Sequence, residues 1–519
     1  MFRSAALMSI ATFISRILGL GRELLIAAYF GASGMTDAFW VAFRVPNMLR
    51  DLFAEGNFNS AFLPVLTEES KRSQKKGLEV FWSAALLLFL STTCCSILIL
   101  LFSEQIVGVL APTFKEKKDI FDVTVTSIKV LSFFLPLISL AALSMSYLNT
   151  KKVFFAPALA PASLNVMMII SIVFLTPILI SNGVEPIYAL TIGAITGGAT
   201  QLLVQIPFLI KNSAFSTVAL NLFSKPVKKI LYRMSIGTVG VAATQINLLV
   251  GTFLATGAGI GSVSYLTYAL RLYQFPVGIF GVSLSNSNLV FFSDAIKSGK
   301  IDSAKSTLKK SYHLSLFILI PVTFFLWQFS EEVIYLIFER GAFGNQDREM
   351  TTMALKGYLY GLPFYCIFKL LGPTFYALDK EKVPILISIF SIFVNIIFSV
   401  SLIDELGFVV LAYGVSLSVV INSILQIVFL RPILNIGFRF FLTKVSFYIV
   451  SSGTISFVAL CYLKTFLKGS LLQSWTGTFL SVFFLGLIFC VIYVCVLYFI
   501  GGRDQIDHFI SKIKKNKSS

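Results

Sequence analysis

An all-α fold that crosses a membrane many times is predicted by three observations. Hydrophobic residues make up 56% of the 519 positions, charged residues only 13%, and uncharged stretches long enough to span a bilayer recur along the whole chain. The mean hydropathy of +0.85 points the same way. A helix of about 20 residues crosses roughly 30 Å of hydrocarbon while satisfying its own backbone, and no soluble domain of this length hides so much apolar surface.

Hydropathy gives about 14 spans. The first two, near Phe13–Tyr29 and Phe39–Val65, are the charged ones and hold Arg16, Arg22, Arg44 and Arg50. Because Arg16 and Arg22 interrupt the apolar run, the first span reads as a retained helix and not as a cleavable signal. Phe81–Phe102, Val123–Tyr147, Phe155–Ile180 and Ile187–Ile210 follow. A second series runs Ile236–Thr256, Val263–Phe292, Leu314–Ile337, Met353–Ala377, Ile385–Leu402 and Phe408–Phe429. Val445–Leu463 and Trp475–Ile500, rich in Phe and Leu, complete the set.

Lysine and arginine then set the orientation. About 27 lie in the loops of one side, against about 7 on the other (Lys115, Lys117, Lys118, Arg340, Arg348, Lys464 and Lys468), so an even number of spans puts both termini in the cytoplasm. The net charge of +17 follows from this asymmetry and from anionic headgroups, with no nucleic acid required.

Eight basic residues remain inside or at the edges of spans: Arg16, Arg22, Arg44, Arg50, Lys129, Arg271, Lys356 and Lys369. A guanidinium near mid-bilayer costs about 2.5–3.5 kcal/mol on insertion scales, so such residues usually face a water-filled cavity. Glu23, Asp37, Asp51 and Glu55 lie in the same region, and an internal ion pair or a snorkelling anchor accounts for any single arginine as well as binding does. Four arginines in two helices favour an anionic ligand. Arg16 to Arg22 and Arg44 to Arg50 are each six apart, about 120° off a common helical face, which suits groups that surround a ligand. Arginine suits phosphate because its planar fork donates two parallel hydrogen bonds. Gly19, Gly21, Gly31, Gly34, Pro46 and Gly56 predict bent or loosened helices here, tolerable where backbone borders a cavity.

Two internal echoes predict a two-lobed architecture. Tyr147–Val153 resembles Ala377–Val383, and Val41–Val45 resembles Tyr268–Leu272, both at an offset of about 230 residues, or six spans. An even number of spans makes the repeats parallel, with a central cavity between lobes.

Enzymatic chemistry finds little support. His313 and His508 are the only histidines and read as surface residues; Cys94, Cys95, Cys366, Cys461, Cys490 and Cys495 sit in apolar spans without metal-ligand spacing. Neither a loop cluster of aspartates suited to magnesium nor a nucleotide-binding P-loop is present. Asp379, Asn395 and Asn247 are conceivable cation ligands, although a solvated loop end or a buried helix contact is the better reading for each.

The run Asp37-Ala38-Phe39, Phe43-Arg44-Val45-Pro46-Asn47, Phe53-Ala54-Glu55-Gly56-Asn57-Phe58 and Ser60-Ala61-Phe62-Leu63-Pro64 closely resembles the second-helix signature of the MurJ (MviN) family. Ser15-Arg16-Ile17-Leu18-Gly19 with Arg22-Glu23 is similar to that family's first helix. Asn149-Thr150, Ala160-Pro161 with Leu164-Asn165, and Arg271 followed by Phe275-Pro276 and Gly278 extend the match. Specific motifs cover roughly the first 435 residues; the last two spans match by number and position only.

The resemblance implies a lipid II flippase of the multidrug/oligosaccharidyl-lipid/polysaccharide exporter superfamily, not an enzyme. It implies two six-helix lobes in pseudo-twofold parallel repeat around a V-shaped central cavity, working by alternating access. The expected divisions are residues 1–220 and 221–435 for the lobes, 436–501 for two added helices with a possible groove for a lipid tail, and 502–519 for a basic cytoplasmic tail. The substrate so implied is a disaccharide-pentapeptide on undecaprenyl pyrophosphate, carried from the inner to the outer leaflet of the bacterial cytoplasmic membrane. Arg16, Arg22, Arg50 and Arg271 are the cavity arginines on this reading, with Asp37, Glu55 and Asn165 in support; Arg22, Arg50 and Arg271 take the pyrophosphate and Arg16 acts behind them or as a gate. Leu270 and Gln274 stand where family members often carry acids flanking the eighth-span arginine, which puts an acid-to-arginine gate there in doubt. Glu23 replaces a common Asp.

No cofactor is implied; a coupling cation, sodium or proton, or the membrane potential alone, would bias the cycle. Membrane lipids, and proteins of cell-wall elongation or division, are the implied partners, and a monomer suffices. Two rivals from the same superfamily are an exporter of another undecaprenyl-pyrophosphate-linked oligosaccharide, which shares the diphosphate, and a drug or cation antiporter, which would favour acids over arginines in its cavity.

Overall fold

Apolar runs of this length can satisfy their backbone in hydrocarbon only by hydrogen bonding within a helix or a closed barrel. The computed structural model describes residues 2–53, 57–466 and 474–502, with side chains described except at 2–9, 53, 57–60, 236–241, 243, 282, 466 and 502. Every regular element among these residues is helical.

Residues up to Ser264, together with Arg340–Gly344, form one compact unit. Its helices are α1 (Phe2–Phe30), α2 (Gly34–Phe53), α3 (Asn57–Arg72), α4 (Gln74–Leu101), α5 (Ser103–Leu110), α6 (Lys118–Leu131), α7 (Phe134–Thr150), α8 (Phe155–Ile170), α9 (Thr176–Ser181), α10 (Tyr188–Leu203), α11 (Ile206–Lys211) and α12 (Lys225–Gly257). α1 packs along α8, α8 along α10, α2 along α6, and α3 between α4 and α12. Phe62, Leu66, Phe81, Leu143 and Tyr147 are buried between these helices. Two aromatic residues here have their polar edges satisfied, Tyr147 donating to the Asn212 carbonyl at 3.1 Å and Trp82 to the Ala214 carbonyl at 2.6 Å.

The glycines predicted to loosen the first two helices do other work. α1 runs unbroken through Gly19 and Gly21. Gly19 lets Asn165 approach, Gly31 takes a φ of 62° just past the end of α1, and a Cβ at Gly34 would lie 2.5 Å from Ile120 of α6. Their small size buys close helix contact and a clean helix end. Gly56 lies outside the described residues. A π turn over Ser171–Leu175 joins α8 to α9 just before Pro177, whose ring would otherwise crowd the carbonyl of Val173.

At one end of this unit Glu68 receives Lys229 at 3.2 Å and Arg72 at 3.0 Å, tying α3 to α12 around a cavity of about 460 Å³. The hydrogen bond and charge of Lys229 hold the Glu68 carboxyl below its ordinary range.

Tyr265–Glu339 and the residues from Asn345 onward form the second unit. It contains most of α13 (Ser262–Pro276), then α14 (Val282–Lys297), α15 (Ile301–Gln328), α16 (Ser330–Ile337), α17 (Asn345–Leu359), α18 (Leu362–Ala377), α19 (Lys382–Leu406), α20 (Val409–Leu434), α21 (Lys444–Phe466) and α22 (Trp475–Leu497). α14 packs on α15 and α18, α19 on α20, and α18 and α17 on α20. The last two helices dock on α15. A Cβ at Gly453 would lie 2.6 Å from Ile320, one at Gly486 2.9 Å from Phe325, and Tyr493 donates to the Phe317 carbonyl at 3.1 Å. At their far end Lys464 pairs with Glu332 at 2.5 Å and donates to the Gln328 carbonyl at 2.8 Å.

His313 is a correction to the surface reading. Because α15 begins at Ile301, residue 313 falls well inside the helix, where it is buried and its Nε2 lies 2.9 Å from the Thr443 hydroxyl. His508 lies outside the described residues.

The repeat is sharper in the structure than in the sequence. Gln74 and Ile301, Ser103 and Ser330, Lys118 and Asn345, and Phe155 and Lys382 start corresponding helices, each pair at an offset of 227 residues. Matching six-residue closures end α7 and α18, Val153 N–H to Leu148 at 3.0 Å and Lys380 N–H to Phe375 at 2.9 Å, again at that offset. The first echo was therefore three residues out of register, whereas Arg44 and Arg271 are true counterparts. Lys129 and Lys356 prove to be a second such pair.

Ten helical segments among the described residues are long and apolar enough to cross a membrane. Among the segments that fall short, α1, α2 and the α17–α18 pair carry six of the eight in-span cations, Arg16, Arg22, Arg44, Arg50, Lys356 and Lys369.

Candidate functional site

The anchoring of Arg22 begins with the contact of α1 and α8. Asn165, buried on α8, donates from Nδ2 to the Ser15 carbonyl at 3.1 Å and accepts from Arg22 Nη1 at 3.0 Å. Met168, one turn further on, lies 3.8 Å from the same Nη1. Arg22 Nη2 pairs with Glu23 at 2.5 Å, the arginine side chain being 12% exposed and the glutamate 3%. Three of the five guanidinium donors are thus in use, and Nε, itself buried, has no acceptor among the described residues. A buried donor of this kind, on a cation held rigid from two sides, is complementary to an anion.

α2 positions its charges in accord with its dipole. Asp37 falls in the first turn and Arg50 in the last. Arg50 Nε and Nη2 reach Asp51 Oδ1 at 3.3 and 2.9 Å, and Gln245 of α12 donates to the other oxygen of Asp51 at 3.2 Å. The Arg50 side chain is 20% exposed. Like Arg22 it is a half-buried cation paired with the acid next to it in sequence, although here the amide from another helix bonds the acid and not the arginine.

Asp37 is engaged elsewhere. Its carboxylate accepts from the N–H groups of Gly261 and Ser264 at 2.6 and 2.8 Å and from the Ser264 hydroxyl at 2.6 Å, capping the start of α13. Asp37→Asn keeps the shape but loses the charge and half the acceptor capacity, so a drop of about 1.5–3 kcal/mol in stability is expected. A thermal melt of the purified protein reads it, and an unchanged midpoint would rule the cap out as a structural contributor.

Of the remaining predicted residues, Arg16 is exposed on α1 and Arg271 is exposed on α13 in the second unit. Glu55 lies outside the described residues. The structure therefore brings Arg22 and Asn165 into direct contact, and commits Asp37 to a helix start. Sequence reasoning did not single out Met168 or Gln245, but it named Glu23 and Asp51 as acids able to pair internally, and each meets an arginine of the site. Which arginine each acid meets was not legible, because neighbours in a helix diverge by about 100° and i,i+1 pairing has no periodic signal. Among the other in-span cations, Lys129 is half-buried on α6 and Lys356 lies 5.2 Å over the Trp327 ring.

The conceivable cation ligands take ordinary places. Asp379 is exposed at the end of α18 with a φ of 54°, and Asn395 is buried where Ser399 donates to it at 3.2 Å. Among the described residues no group of three or more His, Cys, Asp or Glu converges as a metal site.

Comparison with known proteins gives one consistent result. The family model described as lipid II flippase MurJ matches residues 26–493. A probable lipid II flippase MurJ of Buchnera aphidicola subsp. Schizaphis graminum is 31% identical over 505 residues, covering 96% of this chain and 97% of the relative. The lipid II flippase MurJ of Burkholderia cenocepacia is 33% identical over 436 residues, 83% and 84% of the two chains. Among solved structures, a lipid II flippase MurJ in an inward closed conformation superposes with a TM-score of 0.80 at 27% identity, covering 96% of this chain and all of that one. A multidrug-resistance transporter of the MATE family, in the MOP superfamily, superposes at 0.69 with 13% identity over 83% of this chain and 98% of its own, a likeness of fold alone.

Proposed function

Because this chain belongs to the lipid II flippase MurJ family, it flips lipid II across a membrane and is a transporter, not an enzyme, and we propose that Arg22 and Arg50 hold the lipid's diphosphate during transfer. The observation that carries this assignment is the clamped guanidinium of Arg22, which keeps two donors, one of them buried, beyond those its neighbours use. A diphosphate supplies the acceptors, and a pre-oriented fork loses little side-chain freedom on meeting them. Arg16 and Arg271, long and exposed, are kept as further contacts; Asp37 is assigned to structure.

The proposed direction is from the inner to the outer leaflet of the cytoplasmic membrane, with both termini cytoplasmic and the cation site open to each side in turn. Moving one charge through the membrane field is worth about 2.3 kcal/mol per 100 mV, so the potential can bias the cycle, alone or with sodium or protons. Elongation or division proteins remain proposed partners, and the chain is proposed to act as a monomer.

Complementation tests the reading. With the resident flippase of a bacterium depleted, expression of this chain is expected to restore growth and outer-leaflet lipid II. No rescue at good membrane abundance, in a host that a 30–35% identical relative does rescue, would turn the proposal toward another undecaprenyl-linked oligosaccharide.

A further inference from the structure

Between Leu406 and Arg503 the chain contains no aspartate or glutamate, yet it places Arg431, Arg439 and Lys444 around the connector from α20 to α21. That connector is built firmly. α20 closes with Asn435 in the left-handed region and Ile436 N–H bonded to the Arg431 carbonyl at 3.0 Å. Phe438–Phe440 then make one tight turn. Phe441 is buried against Tyr312 with ring centres 5.1 Å apart, its carbonyl accepts from the Ser446 hydroxyl at 2.8 Å, and Thr443 meets His313.

What the connector presents outward is cationic and apolar together. The Arg431 guanidinium lies 3.4 Å over the Phe438 ring, and its buried Nε has no acceptor among the described residues. Lys309 of α15 reaches over the Phe440 ring at 5.9 Å. Arg439 and Lys444 are exposed, and none of the four cations has a carboxylate partner among the described residues; the acid nearest in sequence to Lys309, Asp302, pairs with Lys305. Beside them Phe438, Leu442 and Phe447 are 50%, 73% and 67% exposed. Phe447 continues into the exposed apolar side of α21 through Val450 and Val458.

We propose that this connector is a binding site for the headgroup of an anionic phospholipid. Arg431 and Lys309 hold the phosphate, Arg439 and Lys444 strengthen the local field, and Phe438, Leu442 and Phe447 lie among the upper acyl carbons. Charge selects an anion, and stacking on a ring fixes the planar guanidinium fork in place and strips water from one face, leaving its edge ready for two oxygens. Continuity with the apolar side of α21 selects a membrane lipid over a free phosphate, because the same ligand must satisfy Leu442 and Phe447. Arg431 and Lys309 belong to α20 and α15, so a bound lipid would staple the connector of the last two helices to the body of their unit.

The test titrates the delipidated full-length protein with phosphatidylglycerol or phosphatidylcholine of the same chains and counts bound lipids by native mass spectrometry. Arg431→Gln with Lys309→Gln is expected to weaken the tightest phosphatidylglycerol by roughly fivefold per cation removed, with phosphatidylcholine unaffected. Lys380→Gln with Lys382→Gln, which removes equal charge from the α18–α19 connector, should leave that lipid in place. Arg431→Lys should fall between, and Leu442→Ser should weaken the tightest phosphatidylglycerol as well while leaving phosphatidylcholine unaffected. Gel filtration and a thermal melt exclude misfolding as the cause. Equal losses in the two double variants would reduce the idea to diffuse electrostatics and overturn it. Displacement of phosphatidylglycerol from the connector by a soluble-tailed lipid II at lower concentration would overturn the choice of occupant.

Discussion

Arg22→Ala is expected to abolish lipid II flipping at unchanged membrane abundance, a loss of about 100-fold or more. The estimate rests on two charge-assisted hydrogen bonds to phosphate at about 1.5–3 kcal/mol each. The complication is stability. Glu23 is 2% exposed and pairs with Arg22, so the single variant leaves a buried carboxylate stranded at about 3–5 kcal/mol. Arg22→Ala with Glu23→Gln removes both charges and should regain most of the lost stability without regaining transport. Arg22→Lys keeps the charge but not the fork, and should retain partial activity near a tenth. Outer-leaflet lipid II, read against abundance and melting temperature for all three, decides. Flipping that returns along with stability in the double variant would show Arg22 to be a structural ion pair and nothing more.

The same pair shows where a sequence is readable and where it is not. Spans were legible because hydrophobicity is summed over about 20 residues and single errors average out. The repeat was legible in two short echoes, but its register needed the helix ends, since the loops after α7 and α18 are equal in length and one short echo had matched three residues off the true offset. Arginine type and helix position were legible too. Of their partners, Glu23 and Asp51 were legible as acids able to pair internally and Asn165 through the family resemblance, whereas Gln245 was not, because an uncharged amide has no charge pattern to betray it. The family resemblance put Asp37 in support of the cavity arginines; its three donors come from a helix start more than 220 residues away, a contact only the fold reveals.

Gly341→Ala is expected to cost the first unit about 2–4 kcal/mol, through a segment whose role is to finish α1. The last carbonyls of a helix lack partners within it. In α1 the Gly31 N–H takes the Ala27 carbonyl at 2.8 Å, and the next, Ala28, is taken by the N–H of Ala342, also at 2.8 Å, from a loop far along the chain. That loop, Arg340–Gly344, belongs to the first unit, with Phe343 buried at 1% exposure. Gly341 makes the approach possible in two ways: its φ is 59°, and a Cβ there would sit 2.1 Å from the Ala28 oxygen, which is backbone and cannot swing aside. Alanine meets both penalties. Asparagine tolerates the left-handed conformation but still carries the Cβ, so Gly341→Asn separates them and should remain well below wild type. Hydrogen exchange is the direct readout, with faster exchange expected over 340–344 and the end of α1 in both variants, and a lower melting temperature alongside. If asparagine restored wild-type exchange, backbone conformation and not contact would be the constraint. If neither variant changed exchange, the loop would not be capping α1. Because α1 also carries Arg16 and Arg22, a loosened cap should lower flipping in proportion to the exchange it permits, without any change to the arginines themselves.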